Sequence, residues 1–237
     1  MDLAPQVGAR ERDRKSSAHG PSSPDQITTR LIEGIQAGRY VPGQRLIEAD
    51  LTAEYGVSRG TVREALSRLA AEGLIHLVPH RGAYIRSLTR TDVNDILLVV
   101  ERLASLAARL AAEAIGQGRN RADFTRAYEG VVAFRDHIEG LPLAQARTAF
   151  YDTLIRIGGN RELARAMPLM HIHLLRMQVQ QYMSAEDRAQ QFTEYDAVAE
   201  HVLKGDQRQA EAMMRDHLRR TRLRIERLPD EVFPSLA

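Results

Sequence analysis

The sequence predicts a mainly α-helical protein, in which an N-terminal domain of three helices and a β-hairpin precedes an antiparallel bundle built only of helices. Residues 58–85 read SRGTVREALSRLAAEGLIHLVPHRGAYI, a Ser-capped helix followed by two short apolar strands around a Pro-His-Arg-Gly turn. From residue 91 onward the apolar residues recur at helical spacing, and no convincing strand pattern follows residue 86. A chain of 237 residues accommodates two modest domains of this kind.

Two helices precede the Ser-capped helix. The first ends at Gly38, before a Pro42-Gly43 turn, and its apolar positions are Ile27, Leu31, Ile32 and Ile35. The second stops at Gly56, and Ser58 then caps the third helix. Three helices and a hairpin in this order predict a winged helix-turn-helix domain over residues 25–86.

The third helix carries arginines on its first turns, and the N-terminal residues of a recognition helix are those that reach base edges in a major groove. Arginine can bridge guanine O6 and N7 or bind a phosphate. The predicted DNA contacts are Ser58, Arg59, Thr61, Arg63, His80, Arg81 and Gly82. The alternative is that the arginines form a solvated helix face, because this chain uses arginine almost everywhere in place of lysine.

The same stretch resembles the DNA-binding domain of GntR-type bacterial transcription regulators over about sixty residues without a gap. The resemblance rests on Pro42-Gly43, Leu46, Glu48, Leu51, Gly56-Val57-Ser58-Arg59, Thr61-Val62-Arg63-Glu64-Ala65-Leu66, Leu69 and Glu72-Gly73-Leu74. It implies a homodimer on a pseudo-palindromic operator in double-stranded DNA. It also implies DNA contacts by Arg59, Thr61, Arg63 and the turn at residues 80–82.

After a linker at residues 87–91, residues 92–230 form the second predicted domain. A first helix capped by Thr91 or Asp92 runs to about Ile115, and further helical periods cover about 121–138, 142–157 and 161–183. Pro168 is expected to kink the last of these or to start a new helix. Ser184 and Asp206 open the final two helices. The prediction is an antiparallel bundle of six or seven helices.

This second domain resembles the FCD type of effector-binding domain, which belongs to the FadR-like branch of the same regulators. Three stretches carry the resemblance: 92–112, beginning Asp92-Val93; 150–160, with Phe150-Tyr151 and Gly159-Asn160; and 194–218, with Glu194-Tyr195 and His217-Leu218. The resemblance implies that residues 92–230 bind an effector and dimerise.

Many FCD domains hold a divalent metal with one Asp or Asn and three His. In this sequence the resemblance places these four positions at Arg147, Tyr151, Tyr195 and His217, so only His217 keeps the residue type that the metal site requires. Zn²⁺ and similar ions need three or four neutral or anionic donors. We therefore expect neither a metal nor another cofactor. A rebuilt site using His217 with His171 or His201 is the alternative.

The same substitutions predict an anion site. Arg147 and Tyr151 are one helical turn apart, and a buried arginine requires an anion. The predicted effector-binding residues are Arg147, Tyr151, Tyr195 and His217, together with Arg102 and Arg176. The expected ligand is a small organic acid or acyl compound. Alternatively, Arg147 pairs with Asp152 or Asp196 and the pocket is vestigial.

Composition excludes several classes of protein. The chain has no cysteine, so disulfides and thiolate metal sites are absent, and its net charge of +2 is not that of a polycation. No apolar run approaches the roughly 18 residues that span a bilayer. Residues 1–24 read as a disordered tail without an apolar signal segment, and residues 231–237 as a C-terminal tail. There is no phosphate loop and no cysteine or serine nucleophile motif, so an enzyme is not expected.

These observations predict a cytoplasmic, ligand-responsive transcription regulator without a membrane partner. The family resemblance implies that ligand binding moves the two DNA-binding domains and releases repression. Such a switch requires that the ligand bind one arrangement of the domains more tightly than the other. Two alternatives stand beside it: a DNA-binding dimer whose helical domain only dimerises, and a metal-dependent effector sensor.

Overall fold

The structure is a computed structural model that describes residues 23–136 and 140–234. The N-terminal domain consists of α1 Pro24–Gln36, β1 Arg45–Leu46, α2 Glu48–Tyr55, α3 Arg59–Ala71, β2 Ile75–Val78 and β3 Gly82–Ile85. The helical domain consists of α4 Arg90–Ala114, α5 Asn120–Val132, α6 Gly140–Gly158, α7 Arg161–Ala166, α8 Leu169–Val179, α9 Ala185–Lys204 and α10 Gln207–Glu226. Single 3₁₀ turns follow at Gln180–Tyr182 and Asp230–Val232. The predicted fold class is confirmed.

Local signals set the helix ends of the N-terminal domain. The Ser58 hydroxyl accepts the Thr61 N–H at 3.2 Å and caps α3, and Gly56 ends α2 with φ 64°. The hairpin pairs Val78 with Gly82, and β1 adds a third antiparallel strand in the order β1-β3-β2. The sequence did not predict β1, because a strand of two residues is too short to show the alternation of polar and apolar side chains that marks a strand.

The helical domain packs around α4, whose inner face is made of small residues. Ala104, Ala107, Ala108 and Ala111 are all buried there, between α10 and α6. Gly158 of α6 approaches so closely that a Cβ at that position would lie 2.9 Å from Leu110 Cβ. The described chain has seven α-helices in this domain, since the period over 161–183 divides at Met167-Pro168 into α7 and α8.

Helix α8 joins the two domains. Leu174 is fully buried in the core of the N-terminal domain, and the Gln36 side-chain amide contacts the Met170 sulfur at 3.4 Å. The linker is shorter than the predicted 87–91, because Thr89 caps α4 and Arg90 begins it. Both backbone groups of the buried Leu88 bond the Gln178 side chain, at 2.9 and 2.8 Å. The linker is therefore packed rather than free.

Both predicted tails need correction where they are described. The tail predicted for residues 1–24 lies outside the described residues up to 22, but Ser23 caps α1 and Pro24 begins it. Of the C-terminal tail predicted for 231–237, residues 231–234 are described, and Val232 and Phe233 are buried there. Arg90 holds this segment by donating to the Leu228 carbonyl at 2.8 Å and to the Asp230 carboxylate at 2.7 Å. Among the described helices, none is both long and apolar enough to cross a bilayer.

Candidate functional site

The first candidate site is the exposed N-terminal end of α3. Arg59 and Arg63 point to solvent, whereas Val62, Leu66 and Leu69 fill the core beneath them. Arg59 has no ion pair within the described residues, and Arg63 donates from Nε to Glu48 at 2.8 Å while its side chain stays 68% exposed. The Thr61 hydroxyl is engaged by Ser58 at 2.9 Å. Both arginines are thus free to reach a ligand, although Arg63 must share its charge with Glu48.

The hairpin turn lies beside this helix end. His80 has φ 61°, the only positive φ outside glycine in the described chain, and Gly82 has φ 97°. Both are exposed, as is Arg81. A shallow depression between the helix and the hairpin is lined by Arg63, His80 and Gly82, so the structure brings the predicted helix and turn residues to one surface.

Arg45 on β1 is a functional candidate that the sequence reasoning missed. Its guanidinium approaches Gly82, where an added Cβ would lie 3.6 Å from Arg45 Nε. Arg45 and Arg59 line one open depression, and Arg45 has no ion pair within the described residues. Arg68, by contrast, is neutralised by Asp25 and by Glu64 at 2.7 Å. Among the described residues of this surface, the arginines without an ion pair are therefore Arg45, Arg59 and Arg81.

The second candidate site is a cavity of about 50 Å³ inside the helical domain, between α4, α6, α8, α9 and α10. Five of the predicted residues line it: Arg147, Tyr151, Arg176, Tyr195 and His217. Apolar side chains such as Leu97, Leu175 and Leu218 form the rest of its wall. The structure thus brings predicted residues from four different helices around one space.

Arg147 is buried to 7% exposure and has no carboxylate partner among the described residues. Its Nη2 donates to Gln191 Oε1 at 2.8 Å, and its Nε has no partner within that part of the chain. Burial lowers the pKa of this guanidinium. The alternative pairing with Asp152 or Asp196 is wrong, because Asp152 is exposed and Asp196 accepts from Tyr128 and Arg135 at 2.8 and 2.6 Å.

Two phenols and a second guanidinium surround Arg147. The Arg147 guanidinium carbon lies 5.9 Å from the Tyr195 ring centroid, and that of Arg176 lies 5.0 Å from the ring of Tyr151. Arg176 also donates to the Thr148 hydroxyl at 3.2 Å. Burial, reinforced by Tyr195, raises the pKa of Tyr151, so its hydroxyl stays protonated and can donate.

A buried ion network beneath the cavity was missed from the sequence. Glu194 receives both Nη atoms of Arg224, at 3.0 and 2.5 Å, and lies 2.9 Å from His217 Nδ1. Burial alone would raise the pKa of Glu194, but the hydrogen bonds from His217 and Arg224 lower it to about 2. Burial lowers the pKa of His217, and its hydrogen bond with Glu194 opposes that shift. His217 and Arg224 lie two helical turns apart on α10, and that spacing was the available signal.

The prediction that Arg102 faces this cavity is wrong. Its side chain is 73% exposed and its nearest acid is Glu101 at 3.8 Å. Leu97 and Val100 are the α4 residues that line the cavity, and Arg102 projects from the other side of the helix.

Comparison with known proteins agrees with both parts of the structure. Residues 24–85 match the model of "Bacterial regulatory proteins, gntR family", and residues 95–220 match the model of the FCD domain. The chain belongs to the GntR family and carries an FCD domain. Since this is a family of transcription regulators, the expectation that the chain is not an enzyme is confirmed.

Relatives of this GntR-family chain carry regulator names. One is the probable D-xylose utilization operon transcriptional repressor of Paenarthrobacter nicotinovorans, 27% identical over 150 residues that cover 63% of this chain and 66% of the relative. That match falls just short of two thirds of the relative's length. Two solved structures share the fold: E. coli McbR/YncC, with TM-score 0.71, 16% identity and coverage of 85% and 96%, and a putative GntR regulator from Rhodococcus sp. RHA1, with TM-score 0.72, 18% identity and coverage of 86% and 97%.

The residues of this FCD domain do not fit a divalent metal. The four positions that the resemblance assigns to metal ligands hold Arg147, Tyr151, Tyr195 and His217, and the Nδ1 of His217 already faces Glu194. A guanidinium at a ligand position would repel a cation. Within the described residues no group of three His, Cys, Asp or Glu side chains converges, which leaves His171 and His201 without a site. The cavity is suited to an anion instead.

Proposed function

We propose that this GntR-family regulator is a cytoplasmic homodimeric repressor that binds a pseudo-palindromic operator and responds to a small carboxylate in the FCD cavity. The observation that carries the effector assignment is Arg147, a buried guanidinium with an unpartnered Nε and no carboxylate in reach among the described residues. A buried charge of this kind is costly unless an anion pairs with it. A bound carboxylate would accept from Arg147 and from the neighbouring phenols.

The DNA-binding part of the proposal is supported by the grouping of Arg45, Arg59 and the hairpin turn on one exposed surface. Exposed arginines at the start of a recognition helix can enter a major groove, while a hairpin arginine beside it can follow the phosphate backbone. Ser58 and Thr61 are better suited to hold the helix end, since their hydroxyls bond each other at 2.9 Å.

Dimerisation is supported by an exposed apolar face on α4. Leu98, Val99 and Leu106 are 46%, 53% and 36% exposed, which is high for large apolar residues on a long helix. Leu98 and Leu106 lie four residues either side of Arg102, and Asp95 and Arg109 lie seven residues either side. An antiparallel contact with a second copy about Arg102 would therefore place leucine against leucine and Asp95 against Arg109.

The alternative of a helical domain that only dimerises is disfavoured by the same cavity. A scaffold domain gains nothing from a buried unpaired arginine, because an apolar residue of similar volume would be more stable there. The metal-sensor alternative is disfavoured by the side chains that occupy the four ligand positions.

A binding-release experiment tests the proposal. An operator is first selected in vitro from random duplexes by the full-length protein, and its affinity is then followed by fluorescence anisotropy while small carboxylates are added. We expect at least one carboxylate to weaken operator binding by the wild type and not by Arg147→Gln. Arg165→Gln, in an exposed pair with Glu162, is the matched control. Equal release from the Arg147→Gln protein would contradict the anchoring role.

A further inference from the structure

The effector cavity adjoins a much larger groove between the two domains. This interdomain groove has a volume of about 1010 Å³ and is lined by Val41 and Pro42 of the N-terminal domain, by Ser87 of the linker and by the α8 end of the helical domain. Gln180 and Met183 line both the groove and the effector cavity. These two side chains therefore separate the effector cavity from the interdomain groove.

The enclosed cavity is too small for a whole effector. Its volume of about 50 Å³ is room for a few water-sized groups, which suits a carboxylate and little else. Sites that bury complete small ligands usually measure roughly 300–1,000 Å³. A ligand whose carboxylate reaches Arg147 must therefore extend beyond the cavity, and Gln180 and Met183 are lining residues that the cavity shares with the groove.

The groove is suited to an apolar chain. Val41 of the N-terminal domain and Tyr182 of the helical domain both line it and are 45% and 38% exposed, so each domain contributes a large, uncovered apolar side chain. Pro42, Met177 and Val232 add further apolar surface. The charged side chain of the described lining is Arg188, whose guanidinium donates to the Met183 carbonyl, and no acidic side chain lines the groove within the described residues. The Met183 side chain can change rotamer to admit the hydrocarbon chain of a ligand, because it is unbranched and has three rotatable bonds.

We propose that the effector is an amphiphilic monocarboxylate whose head binds Arg147 and whose chain passes between Gln180 and Met183 into the interdomain groove. This inference rests on the proposed function, because it takes the Arg147 site as the effector site. The chain would contact Val41 and Pro42 directly. Such a ligand would touch both domains at once, so its binding would depend on how the N-terminal domain sits on α8.

Isothermal titration of the full-length protein with straight-chain acids of increasing length, butanoate and octanoate, tests the inference. We expect octanoate to bind the wild type more tightly than butanoate, by roughly fourfold for each methylene that becomes buried in the groove. The exposed groove variants Val41→Ser and Tyr182→Ser should lose most of that gain while binding butanoate as the wild type does. Leu77→Ser, on the hairpin and 50% exposed, is the matched control and should behave as the wild type.

The outcomes separate this inference from the proposed function. Octanoate binding no tighter than butanoate, or a chain-length gain that survives in both groove variants, would overturn the extended site. In that case butanoate binding that is lost in Arg147→Gln would still support the proposed function. Binding of both acids that is unchanged in Arg147→Gln, or binding of neither acid by the wild type, would overturn the extended site and the carboxylate anchor together.

Discussion

Glu194 and Arg224 form a buried bidentate ion pair on the α9 and α10 side of the effector cavity, with N–O distances of 3.0 and 2.5 Å. The pair is nearly inaccessible, at 4% and 5% side-chain exposure. Glu194 also lies 2.9 Å from His217, so side chains of α10 bond both oxygens of its carboxylate. Arg147, on the α6 side of the same cavity, is consequently left without a counter-ion among the described residues.

Removing the carboxylate of this pair should be costly. Glu194→Gln removes the bidentate partner of the buried Arg224 and leaves it only Asp187, 3.4 Å from its Nε. Breaking a buried pair costs about 3–5 kcal/mol when no counter-ion remains, so we expect a loss toward the lower end of that range. Urea unfolding of the full-length wild type and variant measures this difference in the free energy of unfolding. Glu162→Gln, which breaks an exposed pair with Arg165, should change stability by less than about 1 kcal/mol. Similar values for both variants would show that the Glu194 network is not structural.

The same network predicts the direction of acid sensitivity. The pKa of Glu194 is lowered from 4.5 to about 2, so the folded state holds the charged form more strongly than the unfolded state does. Its contribution is fully present above pH 4.5 and is lost as the pH falls from 4.5 toward 2. We expect the unfolding free energy of the wild type to fall over this range, and that of Glu194→Gln to fall less. Parallel pH profiles of the two proteins would refute this assignment.

The DNA surface can be tested residue by residue. Arg59→Ala should reduce specific operator affinity by about 1–3 kcal/mol and relax specificity if Arg59 bonds a base edge. Arg45→Ala should weaken binding to all sequences and reduce the salt dependence of the affinity by about one ion, as expected for a phosphate contact. Arg68→Ala is the control, because Asp25 and Glu64 already occupy its side chain. Anisotropy at several salt concentrations distinguishes the three.

The α4 face predicts where the dimer can be broken. Val99→Asp and Leu106→Asp place charge in the proposed contact without touching the core, since both residues are exposed. Analytical ultracentrifugation should show the wild type as a dimer and these variants as monomers with unchanged helical content. Leu223→Asp, on α10 and 44% exposed, is a control outside the α4 face. Variants that remain dimeric at the same concentration would place the interface elsewhere.

Local sequence signals were sufficient for most of the fold. Ser58, Gly56 and the Pro79–Gly82 turn act through the backbone near them, so the recognition helix and hairpin could be predicted where the structure has them. The sequence predicted the structure least well where a strand is very short or where neighbouring residues could each cap the same helix. The strand β1 has only two residues, and Thr89 caps α4 where Thr91 or Asp92 was expected.

The candidate cavity was predictable only as far as the family resemblance reached. Arg147, Tyr151, Tyr195 and His217 were found because each matches a position in a known pattern, and the structure brings all four together. Arg102 was placed wrongly, since its side of α4 depends on how that helix rotates against α10. Glu194, Gln191 and Arg224 were missed, because the spacing of His217 and Arg224 shows only that they share one side of α10 and does not identify their partners on other helices.

Whether Arg147 anchors an anion can be measured by thermal unfolding of the full-length protein with and without butanoate. We expect butanoate to raise the melting temperature of the wild type above that in chloride of equal ionic strength. Arg147→Met should show no such rise, and should melt higher than the ligand-free wild type because it removes an unpaired buried charge. A wild type that responds to butanoate and chloride alike, or an Arg147→Met protein that is stabilised by butanoate as much as the wild type, would show that Arg147 does not anchor an anion.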